Sequence, residues 1–162
     1  MMLEKKTTSE SKFAAPRLYR LFLKSLAAVL CLIFLVLLSG PWLLYAYGLS
    51  NITGRPEHAK IAVLSPEDKA LIWKELKEQG AMQVEVLTPY EIYSLLLDRS
   101  DPAGLRLAWY VARNYNYDHL QDRRMVNWNI SGEALTVWLT RHWSADELLA
   151  KALEIRQSKA KP

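Results

Sequence analysis

The hydrophobic residues of this chain form one long run near the N-terminus, followed by short segments with helical spacing. Residues 25–49 carry no charged side chain, and as a helix they would extend about 37 Å, more than the roughly 30 Å of a bilayer core. Pro41 interrupts the run, but a proline can kink a membrane helix without ending it. Trp42, Tyr45 and Tyr47 cluster near its end, as is typical of a membrane interface. The pattern therefore predicts a transmembrane signal anchor over 25–49.

The competing interpretation of this run is a cleaved signal peptide with residues 26–38 as its hydrophobic region. The run is too long for such a peptide, and small residues at the spacing of a cleavage site do not follow it cleanly. We therefore favour an uncleaved anchor.

The basic residues indicate how the anchor is oriented. Residues 1–24 contain six basic and two acidic side chains, whereas only Arg55 and Lys60 closely follow the run. Because basic residues favour the cytoplasmic side of a span, we expect a cytoplasmic tail over 1–24 and a C-terminal part outside the cytoplasm. In a bacterium this would be a single-pass inner-membrane protein with a periplasmic domain. Membrane lipid is the only partner that the basic tail predicts.

Helix-capping patterns recur after the anchor. Residues 50–64 read as a linker, and a helical domain is expected over 65–158, with a short tail over 159–162. Within the domain, an N-cap followed by proline or acidic residues predicts helix starts at Ser65, Thr88, Asp101, Ser131 and Ser144. The first of these helices should run to Gln79 and end at Gly80. Only 82–87 alternates like a strand, so the prediction is an all-α domain of five or six helices.

Composition excludes several classes of function. The single cysteine excludes a disulfide framework, and the three histidines lack the i, i+4 spacing of a zinc site. We therefore expect no metal and no cofactor. Residues 50–162 carry equal numbers of basic and acidic side chains. This part of the chain therefore lacks the excess positive charge that is typical of a nucleic-acid binder.

The most unusual stretch is 109–128, in which aromatic residues alternate with arginine and asparagine. Aromatic faces, amides and guanidinium groups suit a carbohydrate or a phosphate-linked sugar, since arginine can bind two phosphate oxygens at once. The alternative is that the aromatic residues fill a small core and the arginines are solvated. The candidate substrate-binding residues are Trp109, Tyr110, Arg113, Asn114, Arg123, Arg124 and Trp128.

Two segments of the chain resemble a known family. Residues 107–153 are similar to the second half of the peptidoglycan glycosyltransferase (transglycosylase) domain of penicillin-binding proteins and monofunctional transglycosylases. Ala112, Arg113 and Asn114 match the end of the family's T-I-x-Q-Q-x-A-[RK]-N segment, and 144–149 (SADELL) matches its S-K-D-E-I-L run. The resemblance implies a lysozyme-like helical fold outside the cytoplasm and a peptidoglycan or lipid-linked precursor as ligand.

The chain departs from this family at its catalytic motifs. The family's E-D-x-x-F and H-x-G elements are not recognisable, and Glu75 is the only candidate for the first catalytic carboxylate. Glu133 lies one position away from a second family glutamate, which on a helix turns the side chain by about 100°. The resemblance therefore favours a degenerate domain that binds peptidoglycan or its precursor without turnover. Two alternatives remain: a non-enzymatic assembly factor that binds another envelope protein, and an active glycosyltransferase that uses Glu75 or Glu133.

Overall fold

The computed structural model describes residues 11–60, 64–92 and 102–160, with side chains from residue 19 onward. Five α-helices and no β-strand occur in these residues, so the all-α prediction is confirmed for this part of the chain. The helices are α1 (Ser11–Ser50), α2 (Pro66–Glu75), α3 (Leu105–His119), α4 (Met125–His142) and α5 (Ala145–Ala160). The chain divides into two compact units, the first ending at Gly40 and the second beginning at Pro41.

Within the described residues, the first unit consists of residues 11–40 of α1. Tyr19–Ser50 is the one helix in the described residues that is long and apolar enough to cross a membrane, judged by length and composition. Its apolar side chains from 21 to 38 are exposed on every side. The hydroxyls of Ser25 and Ser39 donate to the carbonyl oxygens of Leu21 and Leu35, at 3.0 and 2.7 Å. These polar groups are thus satisfied within the helix, as an apolar environment requires.

The second unit begins with the last turns of α1. Pro41 and Gly48 are buried, and the Tyr47 hydroxyl donates to the Asn127 side-chain oxygen on α4 at 2.9 Å. Residues 41–49, which we predicted as the end of the anchor, therefore belong to the same compact unit as the helical domain.

The core of this domain lies where α3 packs against α4 and α5, with α2 packed on α5. Its members are large aliphatic and small residues at helical spacing, which bury one face of each helix. The fully buried ones include Leu107, Ala108, Val111, Ala112, Leu135, Leu139, Leu148 and Leu149. A smaller cluster joins Leu87 and Ile92 to Val137 on α4.

The segment that we predicted as a linker makes contacts with the domain. Ile52 is buried and pairs with Leu120 in an isolated antiparallel bridge. The ring of His58 stacks on that of Trp143, with the centroids 4.6 Å apart, and the Lys60 amide donates to the Glu154 carboxylate at 2.8 Å. Residues 51–60 therefore lie along the domain surface.

Three of the predicted helix starts are confirmed as capping structures. The Ser65 hydroxyl accepts a hydrogen bond from the Asp68 amide at 3.1 Å, with Pro66 in the first helical position. At Ser144 the box is reciprocal, because the Glu147 amide donates to the Ser144 hydroxyl and the Glu147 carboxylate accepts from the Ser144 amide. The Thr88 amide donates to Glu91 in the same way, but residues 93–101, which would continue that helix, lie outside the described part.

The predicted end of the first helix is wrong. The helix stops at Glu75 rather than Gln79, because Lys77 adopts a left-handed conformation with φ of 58°. The early stop lets the Glu78 carboxylate accept hydrogen bonds from the amides of Gly104 and Leu107, at 3.3 and 2.9 Å. Glu78 thereby satisfies two of the unpaired donors at the start of α3, which has no side-chain cap of its own.

Two predicted starts are also corrected. The third helix begins at Leu105, after Gly104 with φ of 76°; Asp101 itself lies outside the described residues. Ser131 does not begin a helix, since α4 runs unbroken from Met125 to His142 and buries Ser131 and Gly132. Glycine is placed there by packing, because a Cβ on Gly132 would stand 2.6 Å from the Trp109 ring. Residues 82–87 have an irregular backbone instead of the strand-like alternation that we predicted.

Candidate ligand-binding cleft

An open cleft with a volume of about 910 Å³ lies among α3, α4 and α5. Its walls are aromatic, basic and amide side chains, with one carboxylate among the described residues: Tyr110, Arg113, Asn114, Tyr117, Asp118, Arg123, Trp128, Ser158 and Lys159. A smaller cavity of about 200 Å³ shares Asn114, Asp118, Ser158 and Lys159 with it. Five of the seven predicted substrate-binding residues thus converge on one cleft.

Helical periodicity explains how α3 supplies most of this wall. Tyr110, Arg113, Asn114, Tyr117 and Asp118 are spaced at i, i+3, i+4, i+7 and i+8, and such residues share one face of a helix. The apolar residues between them are buried in the core. The core contacts of α3 therefore turn its polar and aromatic stripe outward.

The far wall comes from the end of α5. The Lys159 ammonium donates to the side-chain oxygen of Asn114 and lies 5.7 Å from the centroid of the Tyr110 ring. Asn114 is itself oriented, because its amide nitrogen donates to the Tyr110 carbonyl at 2.6 Å. These contacts hold the Lys159 ammonium over the face of the Tyr110 ring and restrict the conformations of both side chains.

The third wall is built around Trp128 on α4. Its ring meets that of Tyr117 edge to face, with the centroids 6.4 Å apart. The Arg123 guanidinium lies 5.8 Å from the Tyr117 centroid and donates to the Tyr117 carbonyl at 3.4 Å. Two aromatic faces and a guanidinium therefore stand together on this side of the cleft.

The charge of the cleft is positive. Arg113, Arg123 and Lys159 line it against Asp118 alone. Within the described residues the side chains of Arg113 and Asp118 make no hydrogen bond or ion pair, and the Lys159 ammonium donates only to a neutral amide. The cations are therefore available to an anionic ligand, and the aromatic rings offer apolar faces of the kind that sugar rings stack on.

Two predicted binding residues lie elsewhere. Trp109 is half-buried, with its ring against Gly132 in the contact between α3 and α4. Arg124 pairs with Asp122, their side-chain nitrogen and oxygen standing 2.6 Å apart, and this hydrogen bonding lowers the pKa of the Asp122 carboxyl. Trp109 contributes to packing, and Arg124 is neutralised locally.

The two candidate catalytic carboxylates are not brought into the cleft. Glu75, at the end of α2, forms an ion pair with Arg156 at 2.9 Å. Glu133 follows Trp128 by five residues on α4, which places it about 140° away around the helix. It is half-buried and has no partner among the described residues, and its burial raises the pKa of the carboxyl to about 7.

Sequence reasoning missed four residues of the lining. Tyr117 and Asp118 could have been found, because they continue the helical spacing of Tyr110, Arg113 and Asn114. Ser158 and Lys159 could not, because their position depends on how α5 packs against α3. The sequence placed Lys159 in a tail, whereas α5 extends to Ala160.

Comparisons with known proteins gave no match: no family model, no curated protein and no solved structure corresponds to this chain. In the part of the chain that the structure describes, no group of three or more histidine, cysteine, aspartate or glutamate side chains could hold a metal ion.

Proposed function

We propose that this protein is a membrane-anchored module that binds peptidoglycan or its lipid-linked, diphosphate-bearing precursor in the cleft among α3, α4 and α5, without turning it over. The observation that carries the proposal is the convergence of Tyr110, Arg113, Asn114, Arg123 and Trp128 on that cleft. Sugar rings would stack on the aromatic faces, and the diphosphate would meet the arginines and the ammonium of Lys159.

Binding without turnover is favoured by the positions of the carboxylates. A glycosyltransferase needs a carboxylate beside the bound ligand to deprotonate the attacking hydroxyl. Glu75 is engaged by Arg156, and Glu133 lies on the side of α4 away from Trp128. Asp118 is the one acidic side chain among the described residues that line the cleft, and it is therefore the group to test if turnover is observed.

The membrane anchor is proposed from the sequence and the length of α1. The charge-free run follows six basic residues, so the N-terminus would be cytoplasmic and the domain from Pro41 onward would lie outside the cytoplasm. In a bacterial host the cleft would then lie in the periplasm, on the side of the membrane where peptidoglycan is assembled.

Binding and turnover should be measured together on the full-length protein in detergent. Labelled lipid-linked disaccharide precursor and purified peptidoglycan strands would be supplied to the wild type and to Arg113→Ala. We expect the variant to bind about tenfold more weakly, in line with the loss of a charged hydrogen bond. Lys74→Ala is the matched control, because it also removes one exposed cation but lies on α2, outside the cleft.

The outcomes separate the three functions. Binding without polymer formation supports the proposal. Polymer formation that is lost in Glu75→Gln, Glu133→Gln or Asp118→Asn would make the protein an active glycosyltransferase and identify its base. Absence of binding to both ligands would overturn the proposal and favour the assembly-factor alternative. A pull-down would then test that alternative, which predicts that one envelope protein is recovered at constant stoichiometry.

A further inference from the structure

The two adjacent arginines just before α4 have different partners. The Arg123 guanidinium lines the cleft, where it lies 5.8 Å from the centroid of the Tyr117 ring and donates to the Tyr117 carbonyl. The Arg124 guanidinium is held by Asp122 instead, with its Nε and Nη2 atoms 2.8 and 2.6 Å from Asp122 Oδ2. Both arginines are exposed, so burial does not decide which of them belongs to the cleft.

The Asp122 side chain also holds the backbone around Arg123. Its Oδ1 accepts a hydrogen bond from the Arg124 amide at 3.1 Å, which is the contact of an Asx turn, in which an aspartate bonds the backbone two residues further on. This bond spans Arg123 and restricts the directions in which the Arg123 side chain can project. Because it is made by the Arg124 backbone, the bond does not depend on the Arg124 side chain.

The residues before this turn are fixed by the segment that follows α1. The Gln121 amide donates to the Asn51 carbonyl at 2.9 Å, and Leu120 pairs with the buried Ile52 in an antiparallel bridge. The chain therefore enters the turn from a fixed position and leaves it into α4. Between these two fixed ends, the Asp122 side chain closes the turn.

We propose that Asp122 is a positioning residue of the cleft, which directs Arg123 toward the diphosphate of the ligand and keeps Arg124 out of the cleft; this rests on the proposed function. Charge alone would give Asp122 the opposite effect, because a carboxylate beside a cationic cleft weakens the binding of an anion. Position outweighs charge here, since a guanidinium binds two phosphate oxygens at once only in a defined orientation.

A double-mutant cycle on the full-length protein in detergent tests the role of Asp122, with the labelled lipid-linked disaccharide precursor as the probe. Arg123→Ala would be introduced into the wild type, into Asp122→Ala and into Asp122→Asn. Asp122→Asn is the matched control, because asparagine loses the charge but keeps an oxygen that can accept from the Arg124 amide. Only the loss of affinity caused by Arg123→Ala is compared, so that a general effect of charge cancels.

We expect Arg123→Ala to weaken binding by about tenfold in the wild type and in Asp122→Asn, but by less than about threefold in Asp122→Ala, where the guanidinium is no longer oriented. Equal losses in all three backgrounds would overturn the inference. A loss as small in Asp122→Asn as in Asp122→Ala would overturn it too, because the charge of Asp122, and not the turn, would then control Arg123.

A measurement without ligand separates this inference from the proposed function. NMR relaxation of the Arg123 Nε–H group reports the mobility of the side chain, and its signal is identified by its absence from Arg123→Ala. We expect an ordered side chain in the wild type and in Asp122→Asn and a mobile one in Asp122→Ala, with thermal unfolding to verify that each variant is folded. Equal mobility in the wild type and Asp122→Ala would overturn the inference. If the wild type binds neither the precursor nor peptidoglycan strands but shows the expected difference in mobility, the proposed function fails and Asp122 is still the residue that orients Arg123.

Discussion

Gly48 on α1 and Ala134 on α4 approach so closely that a side chain at position 48 has no space. A Cβ on Gly48 would lie 2.6 Å from the Ala134 Cβ and 2.7 Å from the Ile130 carbonyl oxygen. Because the second of these atoms belongs to the backbone, a side-chain rotation cannot relieve the clash. The glycine therefore allows the last turns of α1 to pack directly on α4, in the way that small residues permit close helix contacts.

We expect Gly48→Ala to destabilise the protein by about 1–2 kcal/mol, because overpacking outweighs the roughly 1 kcal/mol that alanine gains over glycine in a helix. Thermal unfolding of the full-length protein in detergent would measure it. Ala46→Ser adds one heavy atom at an exposed position of the same helix and should change the stability by less than about 0.5 kcal/mol. A Gly48→Ala variant as stable as the wild type would contradict this expectation, because the cost of overpacking would then be no larger than the roughly 1 kcal/mol that alanine gains over glycine.

Lys77 provides a second test of backbone conformation. Its φ of 58° is unfavourable for a residue with a Cβ, and glycine is the usual residue at this position after a helix. We expect Lys77→Gly to stabilise the domain by about 0.5–1 kcal/mol, because relief of the roughly 1–2 kcal/mol of left-handed strain exceeds the loss that comes from the greater entropy of glycine in the unfolded chain. Lys74→Gly, the same change inside α2, should destabilise it by about 1 kcal/mol. Shifts of the same sign in the two variants would contradict the assigned end of the helix.

Local capping chemistry was readable from the sequence, and the positions where helices end were not. Ser65 and Ser144 bond residues three positions away, so a short pattern contains all of the interaction. The early end of α2 instead goes together with contacts of Glu78, whose carboxylate accepts from the amides of Gly104 and Leu107, which are distant in sequence. Tertiary contacts of this kind override local propensity.

The same distinction holds for the cleft. The spacing of Tyr110, Arg113 and Asn114 identifies one face of a helix, and the structure brings these residues together. The sequence could not separate Arg123 from Arg124, because adjacent residues have equal local signals and differ only in what they contact. It could not find Lys159, whose partner Asn114 lies 45 positions earlier.

Glu133 should make stability depend on pH. Burial raises its pKa from 4.5 to about 7, so the folded state holds the proton more tightly than the unfolded state. Its favourable contribution is therefore complete below the unfolded pKa and is lost as the pH rises through about 7. Between about pH 5 and pH 8 the wild type should therefore lose more stability than Glu133→Gln. We expect the difference to be about 1–3 kcal/mol, a range lowered because Glu133 is partly exposed to solvent.

Denaturant unfolding of both proteins at the two pH values would measure this difference. Glu154→Gln is the control, because the hydrogen bond from Lys151 lowers the pKa of Glu154. The contribution of Glu154 to stability is present above the ordinary pKa of a glutamate and is lost only at lower pH. Glu154→Gln should therefore lose as much stability between about pH 5 and pH 8 as the wild type does. If Glu133→Gln also loses as much as the wild type, Glu133 does not take up its proton in this range.

Two adjacent arginines test the cleft most sharply. Arg123 lines it, whereas Arg124 is held by Asp122. We expect Arg123→Ala to weaken binding of the labelled lipid-linked precursor by about tenfold, as for a lost charged hydrogen bond. Arg124→Ala should weaken it by less than about threefold, since that charge is already neutralised by its neighbour. Arg123→Lys should restore only part of the affinity, because an ammonium cannot bind two phosphate oxygens in the geometry of a guanidinium. Equal losses for the two alanine variants, both vanishing at high salt, would instead mean that the ligand responds to the general charge of this surface and not to the cleft.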